Sequence, residues 1–158
     1  MTRREVTADA GPTDRVPPYR FSARSRVDVA DTDLGEVVYY GRYPVHIDRA
    51  VLAHRRHLGI PVLGPEGHLF VVRSLEIDYL TSARFDDEVE VLVRVSGLGR
   101  TSHTLDLRME RLGPDPAHVG DARLVIVGLS AYGGRPSRMP ATMRDAILAF
   151  EDLGPGAA

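Results

Sequence analysis

At 158 residues, 43% of them hydrophobic and 27% charged, the chain is long enough for one domain with its own core. A net charge of −2 supplies no one-signed field to draw nucleic acid or a membrane surface. There is no Cys, and all 20 basic residues are Arg. Disulfides, thiolate nucleophiles, Cys-ligated metals and Schiff-base chemistry on lysine are therefore excluded.

The first 17 residues are polar and punctuated by Pro and Gly, which predicts a flexible tail without an apolar signal region. No run of about 18 apolar residues follows anywhere, so the expected location is the cytoplasm. From Tyr19 the pattern alternates: Tyr19, Phe21, Ala23, Ser25, Val27 and Val29 share one face of a strand. Asp31 to Glu36 breaks that alternation. A helix is then predicted over about 38–58, with Ile47, Ala50, Val51, His54 and Leu58 on one face. Pro44 removes an N–H near its start and biases Tyr43 away from helical dihedrals, so the first turn is expected to be separate or kinked. Gly59, with Pro61 beyond it, reads as the stop.

Four alternating segments follow: "HLFVVRSLEIDYL", "DEVEVLVRVSG", "TSHTLDLRMER" and "DARLVIVGLSAY". Short Gly-containing breaks predict hairpins between them, and "ATMRDAILAFEDL" predicts a short terminal helix. The expected fold is α+β: a five-stranded antiparallel sheet with one long helix on its face and an edge open for a homodimer. The domain is expected over 18–151, between the tail 1–17 and a C-terminal tail 152–158.

The chemistry concentrates in "DTDLGEVVYYGRY", residues 31–43. An acid ahead of a helix is ordinarily a cap or turn former, worth about 1 kcal/mol. The other reading is a reacting carboxylate beside the free N–H groups that open the helix. The six histidines show no HxH or HExxH spacing, so no metal is expected. No GxSxG elbow, Walker loop or strand-linked GxGxxG occurs, which argues against a serine hydrolase and against nucleotide binding by those motifs.

Asp31, Asp33, Gly35, Val38 and Tyr43, set between a strand and a helix, resemble the motif of the hotdog-fold acyl-CoA thioesterases of the 4-hydroxybenzoyl-CoA thioesterase type. The segment "VVRSLEIDYLTSARFDDEVEV" is also similar to that family's second strand block, and the resemblance spans about residues 19–132. It implies a hotdog fold that dimerises through the sheet. It implies hydrolysis of an acyl or aroyl thioester of coenzyme A or of an acyl carrier protein. Asp33 matches the catalytic carboxylate, as nucleophile or general base, and the backbone N–H near Tyr40 matches the group that polarises the thioester carbonyl. The expected substrate-binding set is Gly35, Val38, Tyr39, Tyr43, Asp48 and Arg73; Arg100, Thr101 and Ser102 are candidates for the phosphates of coenzyme A. No cofactor is expected, and the expected assembly is a homodimer or homotetramer. Arg42 replaces the family's usual Asn, Glu36 stands where Gly is common, Pro44 is unusual, and Val51 stands where many members carry Arg. A non-catalytic acyl-thioester-binding domain and a hotdog hydratase or dehydratase are the alternative readings.

Overall fold

The computed structural model describes residues 9–130 and 134–153. Residues 1–8, 131–133 and 154–158, which include parts of both expected tails, lie outside the described residues. In chain order the regular elements are β1 (Ala10–Pro12), β2 (Phe21–Arg26), α1 (Tyr43–His57), β3 (Leu69–Tyr79), β4 (Glu88–Leu98), β5 (Ser102–Arg111), β6 (Ala117–Leu129) and α2 (Ala141–Phe150). Three short 3-10 turns are interspersed, at Val29–Asp31, Tyr40–Arg42 and Pro65–Gly67.

The sheet has six antiparallel strands in the order β1-β2-β4-β5-β6-β3, not five. The sixth, β1, comes from the expected tail and pairs Ala10 with Ala23 and Pro12 with Phe21. Three residues give no periodicity to read, so only the pairing reveals this strand. Behind it the chain stays on the sheet: Arg15 binds the carboxylates of Glu90 and Glu110, and Ser22 Oγ donates to Glu90 Oε1 at 2.8 Å. Glu90 is only 1% exposed, so these partners offset the desolvation of a buried carboxylate.

A second difference concerns β3. Simple succession predicts it beside β4, but it pairs with β6 from Leu69↔Leu129 to Tyr79↔Gly120. The eight residues between β3 and β4 are too long for a tight hairpin; they cross the sheet end, with Leu80 N–H bonded to Val119 O and Ala83 O accepting from Val38 N–H. β4 therefore sits in the middle between β2 and β5, and β3 is left on the free edge.

Helix α1 begins at Tyr43, because the preceding Tyr40–Arg42 turn is 3-10, as Pro44 at the first helical turn requires. Tyr43, His46, Ile47, Ala50, Val51 and His54 form its buried stripe, at a spacing of three and four residues. The stripe lies over the inward residues of the central strands, among them Val91, Val93, Leu105, Leu107 and Leu124, each at most 2% exposed. Burying a side chain such as Ile47 is worth about 1.5–3 kcal/mol, so this face fixes the helix on the sheet. Gly59, with φ +70°, takes the left-handed turn that ends α1. The core thus holds the helix start beside the loop that leaves β2.

Candidate active site

The acid-bearing segment leaves β2 through a 3-10 turn with a capping box: Asp28 Oδ1 accepts from Ala30 N–H, and Asp31 Oδ2 accepts from Asp28 N–H. A small hairpin follows. Thr32 bridges Val38, Asp33 N–H donates to Val37 O at 3.0 Å, and Glu36 N–H donates to Asp33 O at 3.0 Å. Glu36 has φ +62°, the left-handed region that costs a non-glycine residue about 1–2 kcal/mol. Glu at this position therefore strains the turn. The hairpin is anchored on both sides, by Val38 N–H to Ala83 O and by Tyr39 N–H to Asp31 O.

Neither acid caps α1; both order the loop before it, Asp31 in the capping box of the 3-10 turn and Asp33 as a turn former. No side-chain hydrogen bond caps α1 or the 3-10 turn before it. Among the described residues, the amides of Tyr40 and Gly41 find no protein acceptor. They are a pair of donors at the positive end of the helix. Asp33 is exposed in the single chain, and its Oδ1 accepts the Gly35 N–H at 2.7 Å in an Asx turn. Its Oδ2 has no partner among the described residues.

Asp31 has the opposite environment, at 2% exposure. Arg42 grips Oδ1 through Nε at 3.1 Å and Nη2 at 3.0 Å, and His46 Nε2 lies 3.4 Å from Oδ2. Burial pushes this carboxyl up, but the Asp28 amide, the Arg42 guanidinium and His46 outweigh it and hold the pKa below the ordinary range. His46 is pushed down, chiefly by burial, with Asp31 opposing part of that shift.

The structure gathers Asp33, Gly35, Val38, Tyr39, Tyr40 and Tyr43 into one loop and turn. Val38 and Tyr43 are buried, and Tyr39 and Tyr40 are exposed. The Tyr43 hydroxyl accepts the Ala83 N–H at 3.1 Å, and Tyr79, from β3, donates its hydroxyl to Tyr40 O at 3.0 Å. The rings of Tyr39 and Tyr40 lie 4.5 Å apart, and Tyr79 lies 5.6 Å from Tyr43. Asp48 is exposed on α1, and desolvation raises its pKa against the opposing field of Arg55. Arg73 sits at the β3 bulge between Val72 and Ser74, about 20 Å along the strand from Tyr79. Among the described residues, no ion pair joins it to Asp48.

Arg100, Thr101 and Ser102 are not at this site within one protomer. They form the β4–β5 turn, whereas the acid loop lies at the Glu88 end of β4, where Val27 N–H meets Asp87 O. Eleven residues of strand, about 35 Å, separate the two ends. Sequence reasoning missed Ser25, His46, Arg42 and Tyr79. His46 carries a usable signal: a polar residue at i−4 from Ala50 falls on the buried stripe and needs a partner there. Among the described residues, no cluster of three or more His, Asp or Glu side chains converges as a metal site. Among the described residues, no helix is long and apolar enough to cross a membrane.

Residues 35–118 match the model of the thioesterase superfamily. The chain is 35% identical to the acyl-CoA thioesterase YbgC of Haemophilus influenzae over 94 residues, 58% of this chain and 69% of that protein. A thioesterase from Thermus thermophilus, solved in complex with coenzyme A and Zn, superposes with a TM-score of 0.72 and 29% identity, covering 82% of this chain and 92% of that one. The 4-hydroxybenzoyl-CoA thioesterase of Pseudomonas sp. strain CBS-3 superposes with a TM-score of 0.73 over 79% of this chain and 96% of that one; its 20% identity speaks for the hotdog fold alone. The chain belongs to the thioesterase superfamily and is a hotdog-fold thioesterase.

Proposed function

We propose that the chain hydrolyses acyl-CoA thioesters at the Asp33 loop. One relationship carries this reading: the Thr32–Val38 bridge and the Tyr39-to-Asp31 bond join an exposed carboxylate and an uncapped pair of amides in one rigid loop. Thioester cleavage needs those two parts, an oxygen nucleophile or base and a donor for the developing oxyanion. The amides of Tyr40 and Gly41 receive the carbonyl oxygen. Asp33 either attacks the carbonyl carbon, releasing the thiolate and leaving an anhydride for water to cleave, or takes a proton from the attacking water. His46 faces Asp31 and not Asp33, which weighs against an Asp–His hydratase site.

The working unit in this proposal is a homodimer paired through β3. That strand lies at a sheet edge and exposes Val71, Val72 and Tyr79, a combination that ordinarily requires cover. Antiparallel pairing on a two-fold axis would bring the partner's Leu69 end beside Tyr79 and the acid loop. Ser102 pairs with Val127, two strands in from that end, so the partner's Arg100–Ser102 turn would then lie about 10 Å from the edge and within reach of an extended coenzyme A.

The test is thiol release from a panel of aliphatic and aromatic acyl-CoAs and acyl carrier proteins, alongside sedimentation velocity. Release by the wild type and its loss in Asp33→Asn support the reading. Saturable binding without release by the wild type would instead establish a binding module. A monomer that turns over at full rate would discard the β3 dimer.

A further inference from the structure

We propose that Asp31, Arg42 and His46 are positioning residues, a buried clamp that holds Asp33 in register with the Tyr40 amide turn. The proposal rests on the reading of Asp33 given above.

Three elements meet at the Asp31 carboxylate, and a fourth joins at one remove. Asp28 N–H reaches it from the 3-10 turn after β2, the Arg42 fork from the turn that Tyr40 begins, and His46 from the first helical turns of α1. Ser25 of β2 joins through His46, with Oγ 2.7 Å from Nδ1. A carboxylate only accepts, so the neutral imidazole carries its proton on Nε2, toward Asp31, and Nδ1 accepts from the Ser25 hydroxyl. His46 is 1% exposed and its Nε2 makes no hydrogen bond among the described residues; Asp31 Oδ2, 3.4 Å away, is the charged oxygen that this buried N–H faces.

The same residue also closes the loop through its backbone, because Asp31 O accepts the Tyr39 N–H at 2.9 Å. Asp31 thus grips the amide turn twice, by carbonyl at Tyr39 and by carboxylate at Arg42. It stands two residues from Asp33 on one side of the hairpin, while Tyr40 stands two residues past Val38 on the other. Among the described residues, Asp33 itself is held only within its own turn, by Gly35, Glu36 and Val37. Its direction relative to the Tyr40 amide is therefore set where the hairpin is anchored, at Ala83 through Val38 and at Asp31, which ties the acid side of the hairpin to the amide turn.

Stability alone gives a poor reason for this arrangement. A buried ionic cluster is often no more stable than well-packed apolar residues of the same volume, but it fixes direction. Direction matters here because a displacement of about 1 Å between reacting groups can cost about a hundredfold in rate. The Arg42 fork is long enough to span from the amide turn to Asp31 and meets Oδ1 through both Nε and Nη2.

The experiment compares wild type with Arg42→Met, His46→Leu and His46→Gln. It measures steady-state thiol release from the best acyl-CoA of the panel and amide hydrogen exchange across the chain. Arg42→Met and His46→Leu are expected to lower kcat about ten- to a hundredfold with KM changed less than about threefold, the pattern of lost positioning. His46→Gln restores a donor toward Asp31 and is expected to recover most of the loss. Exchange of residues 31–42 should quicken in the slow variants while β4 and β5 stay protected. Unchanged kcat in the folded variants overturns the clamp and leaves the Asp33 reading standing. So does a loss of activity that tracks faster exchange through the whole sheet, or a His46→Gln variant no better than His46→Leu. A wild type that releases no thiol from any substrate of the panel overturns both.

Discussion

Asp33 Oδ1 accepts the Gly35 N–H at 2.7 Å, so one oxygen of the exposed acid is spent on its own turn and the other is left for chemistry. Asparagine keeps a carbonyl oxygen for that turn bond but loses the negative charge and the basicity. Asp33→Asn should therefore fold like the wild type, with melting unchanged within about 2 °C, because exposed substitutions that keep a local bond cost little. Its kcat for thiol release should fall by about a hundredfold or more, the scale of a lost general base or nucleophile. Turnover within about threefold of wild type would remove Asp33 from the mechanism.

That contrast between a spent and a free oxygen shows where sequence reading stops. Period-two runs such as Val89, Val91, Val93 and Val95 identify β4 without coordinates, and the stripe through Ile47, Ala50, Val51 and His54 identifies α1. Pro44 correctly separates the first turn from the helix. Strand order was not legible, since alternation says which face is buried and not which neighbour is paired; β3 therefore appeared beside β4 and not at the β6 edge. At the site, the resemblance already singles out Asp33 from Asp31 as the candidate catalytic acid. What it does not give is their surroundings, Asp31 under Arg42 and His46 and Asp33 at the surface. Those contacts span 11 and 15 residues of sequence across a turn whose path no local pattern dictates.

Tyr43 links the site to the crossover between β3 and β4. Its ring is 3% exposed and its hydroxyl accepts the buried Ala83 N–H at 3.1 Å. Tyr43→Phe keeps the packing but leaves that amide without a partner, at a cost of about 1–3 kcal/mol. Urea unfolding should show the loss as a lower midpoint with an unchanged slope. An unaltered midpoint would mean that water or a shifted backbone takes over the amide.

Acid should weaken the fold well before its carboxylates titrate. His103 is 4% exposed, and burial first, then the fields of Arg55, His54 and His68, push its pKa down from 6.5 to about 3. The unfolded chain then binds a proton below pH 6.5 that the folded chain refuses until near pH 3, so stability falls as pH drops through that window. Between about pH 6.5 and pH 5 this group alone removes about 2 kcal/mol. His46 and His68 are shifted the same way by burial and add to the loss. Asp31, held low in the folded state, extends the loss to still lower pH, where its carboxylate takes up a proton more readily in the unfolded chain. Denaturant titrations at pH 7.5, 6 and 5 should show this slope. A His103→Gln variant should show a shallower one, and an identical slope would locate the proton uptake elsewhere.

The end of α2 is locked by a single acid. Glu151 is 3% exposed, and its Oε1 accepts the Val95 N–H at 2.8 Å, at the point where the β4 bulge releases that strand from its ladder with β5. His54 Nε2 lies 3.5 Å from the same oxygen, and Phe150 sits edge-on to the His54 ring at 5.7 Å. Glu151→Ala strands the bulge amide and leaves His54 facing a void, which should cost about 2–4 kcal/mol. Glu151→Gln keeps a carbonyl for Val95 and should cost less than half as much. Because Met143 and Ile147 continue to pack, the helix should loosen at its C-terminal end first, and hydrogen exchange of residues 147–151 should quicken ahead of 141–144. Equal destabilisation by Ala and Gln would mean that the charge beside His54, and not the hydrogen bond to Val95, holds this end of the chain.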